Sequence, residues 1–495
     1  MGDRVKERRR KVLLPVFRLS ELTDQDDPHA IERTIKQGKG HPTLTYWYRN
    51  VGNEEEGRGH NYNLFPVVLD RNSAPWALGT LFILSKLEDE TQPVMATSHS
   101  CADDLGAFKE WLDIHDNPEE LLFNFPKPKQ HRTTYRYRGH LRMQIQAREI
   151  TATTAKRRMG RVIAFYTWLI GKNYFTPENP AWEDKRYHLS IKTANGQQLS
   201  KNVASTDLCI SAPKAEADFD GTIQDGAKLR PLTRQEQDWV IEAAGATGNS
   251  ECLLLQLFML GTGSRMESTC TLRVRHFSNP TPRYSMSLTG EGEVYRLKAG
   301  PGTGIDTKNN KSGTFQIPRA LYELLHTYAL SNRAAQRRKR DVKKHGEHPD
   351  PYLFLTNRGG PYYTAKEESL RFDPNFAVRH AKNGQPLRQF IKDHAIPYIR
   401  KKYDPGFSYR PHDLRASFGM NMTEELMKLV KEGKITLHRA RLIVKDLMWH
   451  TSLATTDLYL NFKKSMDVFY KAINGYGEHL QRWTDRAMKG LSIDE

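Results

Sequence analysis

Three short motifs in a set order constrain this chain more than anything else in it. Gly261-Thr262-Gly263-Ser264-Arg265 comes first, with Leu272-Arg273 behind it, and Pro411-His412-Asp413-Leu414-Arg415 follows. The stretch from Met448 through Trp449, His450, Thr455 and Thr456 to Tyr459 closes the set. Each motif is weak alone, since a His-x-x-Arg pair is often a helix cap and an arginine just past a buried helix is usually a surface residue. Together they supply two arginines, two histidines and a tyrosine, which is what metal-free attack on a phosphodiester needs. Guanidinium groups hold the non-bridging oxygens, imidazoles position protons and a phenol is the nucleophile. His412 and Arg415, at i and i+3, share one face of a helix that starts near Pro411, with Leu414 and Phe418 on its buried side.

The ordered set resembles the tyrosine recombinase (phage integrase) family, whose boxes read Thr-Gly-x-Arg, His-x-Leu-Arg and His-[Ser/Thr]-x-x-x-Thr-Thr-x-x-Tyr. The match runs over residues 229–465, with a looser similarity over 95–183. The resemblance implies a mainly α chain with a small antiparallel β-sheet (α+β). It divides into a helical core-DNA-binding domain (95–183), a linker (184–228), a catalytic domain (229–465) and a C-terminal helical tail (466–495). Residues 1–94 match nothing in the family, and their role is left open between an arm, an extra DNA-binding subdomain and a solvated terminus.

The resemblance also assigns roles. Arg265 and Arg415 would bind phosphate, His450 would donate to it, His412 would be general base and Tyr459 the nucleophile, preferred by spacing over Tyr470 and Tyr476. Lys308 on a hairpin tip would be general acid, with Lys311 as runner-up. Neither metal nor nucleotide cofactor is implied. The expected partner is double-stranded DNA, held by a homo-tetramer on two duplexes with room for accessory DNA-bending proteins. The expected reaction is integration or excision of a mobile element through a 3′-phosphotyrosyl intermediate. Rivals are a strand-relaxing enzyme of the type IB topoisomerase kind and a non-catalytic DNA-binding protein of the same fold. Two positions depart from the family: the acidic residue expected three places after Arg265 is Ser268, with Glu267 one place early, and the glycine expected before His450 is Trp449.

Composition points the same way. The chain carries 75 Lys+Arg against 58 Asp+Glu, a net +17, and a pI near 9.5 favours a polyanionic partner because neutralised phosphates release counterions. The cysteines Cys101, Cys209, Cys252 and Cys270 show no CxxC or Cys/His cluster, which argues against a disulfide framework or a zinc site. No secretory signal is evident and the apolar run Leu253 to Leu260 is too short to span a bilayer, so a cytoplasmic, nucleoid-associated protein of bacterial or phage origin is expected.

Periodicity places further elements. Residues 62–86 suggest a strand pair or a strand then a helix, and a helical pattern starts near Ser98. The clearest amphipathic helix, capped by Thr153 or Thr154, presents Lys156, Arg157, Arg158 and Arg161 on its wet face. With Arg136 and Arg138 in the preceding tract of cations and aromatics, these read equally as a solvated face, and the resemblance, which implies a helical domain clamping DNA, makes them the candidate DNA contacts. Thr233 and Glu236 form a capping-box pattern, and segments at 284–288, 294–297 and 314–318 alternate as a small antiparallel sheet does. The basic run at 331–348 reads equally as a helix touching DNA or as a solvated face. For the tail after Tyr459 the resemblance implies docking on a neighbouring subunit, with packing on its own domain as the alternative.

Overall fold

A computed structural model describes residues 10–35, 43–51, 61–90, 95–192, 198–211, 221–226, 228–287, 292–370, 382–463 and 481–482. Tyr470, Tyr476 and nearly all of the expected C-terminal tail lie outside the described residues. The chain is mainly helical with small antiparallel sheets. It divides into two units, one of residues 1–215 with 366–381 and one of 216–365 with 382–495. Among the described residues no helix is long and apolar enough to cross a membrane.

The first unit opens with β1 (Lys11–Arg18), β2 (Ser20–Thr23), β3 (Ile31–Ile35), β4 (Leu44–Asn50) and β5 (Asn61–Val68). β1 pairs antiparallel with β5, Lys11 opposite Val68 and Arg18 opposite Asn61, and β2-β4-β3 form a separate antiparallel sheet. Five helices follow: α1 (Ala77–Asp89), α2 (Met95–Asp113), α3 (Pro118–Leu122), α4 (Thr133–Gln146) and α5 (Ala152–Gly171). So residues 62–86 are a strand and then a helix. α5 starts two to three residues earlier than the cap expected from Thr153 or Thr154: the Thr151 hydroxyl accepts from the Thr154 N–H. Its apolar stripe of Ala155, Met159, Val162, Tyr166 and Leu169 packs with Phe82, Leu105, Phe108, Leu112 and Tyr137 in one core. Each large side chain taken fully out of water there contributes about 2–3 kcal/mol.

Within 184–228, expected to be a linker with room for a small insertion, β6 (Asp184–Lys192) and β7 (Gln198–Thr206) form a regular antiparallel hairpin. Tyr187, Leu189 and Ile191 alternate with His188 and Ser190 there, a period of two that the polar composition of the whole stretch obscures.

The second unit begins with two-residue strands, β8 (Ile223–Gln224) and β9 (Lys228–Leu229), paired antiparallel. Next come α6 (Arg234–Ala246), entered through the Thr233–Glu236 capping box, then α7 (Ser250–Thr262) and α8 (Met266–Cys270). β10 (Tyr284–Met286), β11 (Glu293–Ala299) and β12 (Gly313–Pro318) make a three-stranded antiparallel sheet. α9 (Arg319–Leu330) and α10 (Asn332–His345) follow, and α11 (Lys366–Leu370) groups with the first unit. α12 (Gln385–Phe390) runs through a π turn at Ile391–Ala395 into α13 (Ile396–Lys402), where Pro397 has no N–H to continue an α ladder. α14 (Pro411–Lys431), α15 (Leu437–Leu447) and a helical stretch at 453–463 complete the described chain.

α7 is apolar nearly all round because it is central: Leu255, Phe258 and Met259 pack with Ile317, Tyr322, Leu325 and Leu414. The basic helix α10 is tied inward. Arg333 and Arg337 both reach the fully buried Glu251 of α7, which also accepts from the Tyr328 hydroxyl. A second core joins Ile223 and Leu229 to Phe418, Ile443, Val444, Met448 and Tyr459. That core holds Met448 and Tyr459 of the third motif, while Leu272 and Leu414 of the other two pack in the core around α7.

Candidate active site

The first motif is a helix end. α7 stops at Gly263, whose φ of +66° is left-handed, and a Cβ there would lie 2.4 Å from the Phe418 ring. Only glycine fits both demands, and the turn it makes points Arg265 away from the packed run. Ser264 Oγ bonds Thr269 Oγ1 at 2.6 Å and Thr269 also donates to the Arg265 carbonyl at 3.0 Å, which stiffens the turn. Ser268, where the family's acid is expected, is buried. The half-buried Arg265 guanidinium makes no hydrogen bond or ion pair among the described residues. Arg273, behind it, is buried under Tyr352 with its guanidinium carbon 3.8 Å from the ring centroid. It donates to the carbonyls of Gly304 and Asp350 and so braces the base of the hairpin that carries the lysines.

The second motif starts α14. Pro411 sits in its first turn, and Asp413 accepts the Arg410 N–H at 2.8 Å and the Arg230 N–H at 3.0 Å, the cap that sets the helix entry. Arg415, only 2% exposed, turns its two terminal nitrogens to the carbonyls of Gly263 and Met448. One guanidinium thereby ties the first motif to the third. Its Nε is buried with no hydrogen-bond partner. Burial, and Arg265 close by, lower the Arg415 pKa to about 10, so it stays charged at neutral pH. His412 is half-buried, and burial with the Arg415 and Arg265 charges pushes its pKa down to about 4. It is therefore neutral near pH 7.

In the third motif Trp449 adopts a φ of +52°, the backbone state glycine takes most readily. The His450 N–H then closes back on the Lys445 carbonyl at 2.9 Å, ending α15. A tryptophan is held in this state because its ring stacks on Phe315, centroids 4.4 Å apart, and covers Gly313, where a Cβ would lie 2.5 Å from the indole. His450 is buried, with Nδ1 3.0 Å from the Thr456 hydroxyl. A hydroxyl donating to Nδ1 leaves the ring proton on Nε2. Tyr459 is fully buried, stacked beside His450, and held in the same chain by the Arg441–Asp457 fork at 2.7 and 2.6 Å. Burial and the facing Asp225 carboxylate raise its pKa well above that of a free phenol.

These groups converge on one point, the Oδ2 atom of Asp225. Tyr459 Oη donates to it at 3.0 Å, His450 Nε2 lies at 3.3 Å and Arg415 Nε at 3.8 Å. Burial works to raise the Asp225 pKa, but the His450 bond and the Arg415 charge prevail and hold it far below the carboxylate range. Asp225 is absent from the sequence expectations, because it lies in a stretch read as linker and its only local signal is an Asp-Gly turn pair. Lys308 is exposed on a 3₁₀ turn (Lys308–Asn310), whereas Lys311 donates to the Thr451 hydroxyl. Both lysines line one small hollow with Ser264, Arg265, Ser268, Arg415 and Trp449. A wider cleft of about 560 Å³ beside His450 is lined by Arg296, Lys311 and Lys445.

The candidate DNA contacts lie in the first unit. Arg157 bonds the buried Asp104 at 2.7 Å and Ser100 at 2.8 Å, and Arg161 lies 4.0 Å from the same carboxylate, so both tie α5 to α2. Lys156 is exposed, Arg136 and Arg138 are half-buried on α4, and Arg158 lines a cleft with Tyr137, His140 and Arg71. Among the described residues no group of three His, Cys, Asp or Glu could hold a metal ion.

No family model and no curated protein matches this chain. Among solved structures, residues 82–397 of the Tn1549 transposon integrase in complex with circular intermediate DNA are 13% identical with a TM-score of 0.38, covering 77% of this chain and 94% of that one. The XerH site-specific recombinase bound to its difH substrate is 12% identical with a TM-score of 0.36, covering 77% and 90%. A complex of the same Tn1549 integrase region with transposon right-end DNA is 12% identical with a TM-score of 0.37, covering 80% and 99%.

Proposed function

We propose that this chain is a site-specific DNA recombinase that cleaves and rejoins strands through a 3′-phosphotyrosyl intermediate, in the integration or excision of a mobile element. One observation carries the reading: Tyr459 Oη, His450 Nε2 and Arg415 Nε face a single buried anion position within 3.0 to 3.8 Å. A tyrosine, an imidazole and a guanidinium around one anion match a nucleophile beside the oxygen it must approach.

In this mechanism Tyr459 Oη attacks phosphorus and the bond to the 5′ oxygen breaks. The phenol proton passes to His412, which is neutral at working pH, and the leaving oxygen takes a proton from Lys308, or from Lys311 in its place. Arg265, Arg415 and His450 offset the charge growing on the non-bridging oxygens. The phosphodiester energy is kept in the tyrosyl ester, and the 5′ hydroxyl of a partner strand reverses the step. Two rounds on two duplexes produce a recombinant, which requires four protomers. Lys156, Arg157, Arg158, Arg161, Arg136 and Arg138 are the proposed phosphate contacts of the first unit, with the arginine bonds to Asp104 exchanging for DNA contacts.

The test is covalent trapping on nicked duplexes drawn from DNA flanking the gene. Wild type should form a protein–DNA adduct that Tyr459→Phe loses while binding the same DNA. Tight binding without an adduct would favour the non-catalytic reading, and an adduct-forming protein that relaxes a separate supercoiled plasmid without exchanging strands would favour the topoisomerase-like one.

A further inference from the structure

The anion seat among Arg415, His450 and Tyr459 is already filled, and it is filled by the chain itself. We propose that Asp225 is a built-in substitute for the substrate phosphate, holding the free protein in a closed state that an incoming phosphate must displace. This rests on the strand-cleavage reading of the same site and adds a control on it.

The geometry is that of a substitute ligand. A single oxygen, Asp225 Oδ2, meets the nucleophile's hydroxyl, the His450 Nε2 and the Arg415 Nε, and the residue is only 6% exposed. The fit to the guanidinium is incomplete: at 3.8 Å the Arg415 Nε is paired in charge yet lacks a hydrogen-bond acceptor in the buried site. A buried donor left in this state favours a ligand whose oxygens reach closer. A tetrahedral phosphate presents more acceptor oxygens than the one that Asp225 directs here.

The same seat cannot hold both anions, since two negative charges at contact distance oppose each other. Asp225 Oδ2 is already committed to His450 Nε2 and faces the Arg415 charge, which fits an anion held in the seat. Its contacts disappear when phosphate arrives.

The support of Asp225 suits a displaceable plug. It stands at the turn of β8 and β9, whose two-residue strands share only the pairs Ile223–Leu229 and Gln224–Lys228. The base of this hairpin is anchored: Ile223 and Leu229 are buried beside Phe418 and Tyr459, and the Lys228 carbonyl accepts from Arg410. At the tip, the Asp225 carboxylate makes the contacts to Tyr459, His450 and Arg415. Gly226, with φ of +71°, lies so close to the Lys308 ammonium that a Cβ there would sit 3.4 Å from it. The tip thus stands against the nucleophile, two anion-binding groups and the candidate general acid at once.

Asp225→Asn and Asp225→Ala separate the possibilities, read by inorganic phosphate binding in calorimetry and by single-turnover adduct formation on the nicked duplex. Both variants should bind phosphate at least about tenfold more tightly than wild type, since a like charge in the seat is gone and Arg415 is left needing an anion. Adduct formation should be faster by a similar factor. Unchanged or weaker phosphate binding, or slower adduct formation, overturns the proposal and makes Asp225 a supporting part of the site. If wild type and both variants alike form no adduct yet phosphate binding tightens in the variants, the plug stands and the strand-cleavage reading falls. For variants that do not fold, hydrogen exchange on wild type decides: saturating phosphate should deprotect the tip amides of Asp225 and Gly226 while the anchored base keeps its protection, and unchanged tip protection refutes displacement.

Discussion

Replacing Trp449 by glycine is expected to cost less stability than replacing it by alanine, the reverse of the usual order inside a regular element. Two contributions set the sizes. The ring lies on Phe315 at 4.4 Å with a 26° tilt and covers Gly313, and both substitutions lose that contact. Truncating a fully buried tryptophan costs about 3–5 kcal/mol, so a half-buried one should cost about 2–3 kcal/mol. The φ of +52° adds the second contribution. Alanine keeps a side chain in the left-handed state, at about 1–2 kcal/mol, and glycine does not, against which glycine's freer unfolded chain takes back part of the gain. The net expectation is that Trp449→Gly is about 1 kcal/mol more stable than Trp449→Ala. Urea unfolding with matched m-values measures this difference directly. Alanine equal to or better than glycine would refute the account of why a tryptophan stands where the family has glycine. Adduct formation should fall in both variants, because Trp449 holds His450 and the β12 end of the hairpin together.

Other expectations rest on single contacts. Glu251→Ala strands Arg333 and Arg337 beside an empty buried site and should destabilise by about 3–5 kcal/mol in denaturant melts. Burial alone would raise the Glu251 pKa, but its Arg333 bond and the Arg337 charge lower it below 4.5. A depressed folded value means this stabilisation is present above the ordinary carboxylate range and is lost as pH falls through the folded pKa, so Glu251→Gln should flatten the acid limb of the melting curve. His412 has the same sign for a different reason. The unfolded chain binds its proton near 6.5 and the folded one only near 4, so stability declines between those values, and the acid limb of kcat/KM for cleavage should lie near 4. A limb near 6.5 would contradict that environment. Thr456→Val removes the hydroxyl at His450 Nδ1, and should cost about 1–2 kcal/mol and slow adduct formation without weakening DNA binding.

Local signals in the sequence were readable wherever neighbours along the chain decide the structure. The apolar run ending in Gly261-Thr262-Gly263 reads as a buried helix and its exit, and the Thr233–Glu236 box marks a helix start that is present. The spacing from His450 to Tyr459 is legible because Thr456, within it, is the residue that orients the imidazole. What was not legible depends on partners far away. Asp225 meets His450 across 225 positions, and nothing near it distinguishes a plug from a surface turn. Arg157 looks solvated by periodicity alone, because its partner Asp104 is a polar residue on another helix. Arg333 and Arg337 fall in a run that reads as surface charge until Glu251, buried in an otherwise apolar helix, draws them in. The choice of Thr151 over Thr153 or Thr154 as cap turns on one bond among three adjacent candidates.

The most direct measurement is to locate the covalent bond. Adducts trapped on the nicked duplex would be digested with nuclease and trypsin and sequenced by mass spectrometry. Tyr459 is the one tyrosine between Lys445 and Lys463, while Tyr470 and Tyr476 fall in later tryptic peptides. A nucleotide remnant of a 3′-phosphate on the Tyr459 peptide is the result this account predicts. A remnant on Tyr470, on Tyr476 or on any residue of another peptide would contradict it.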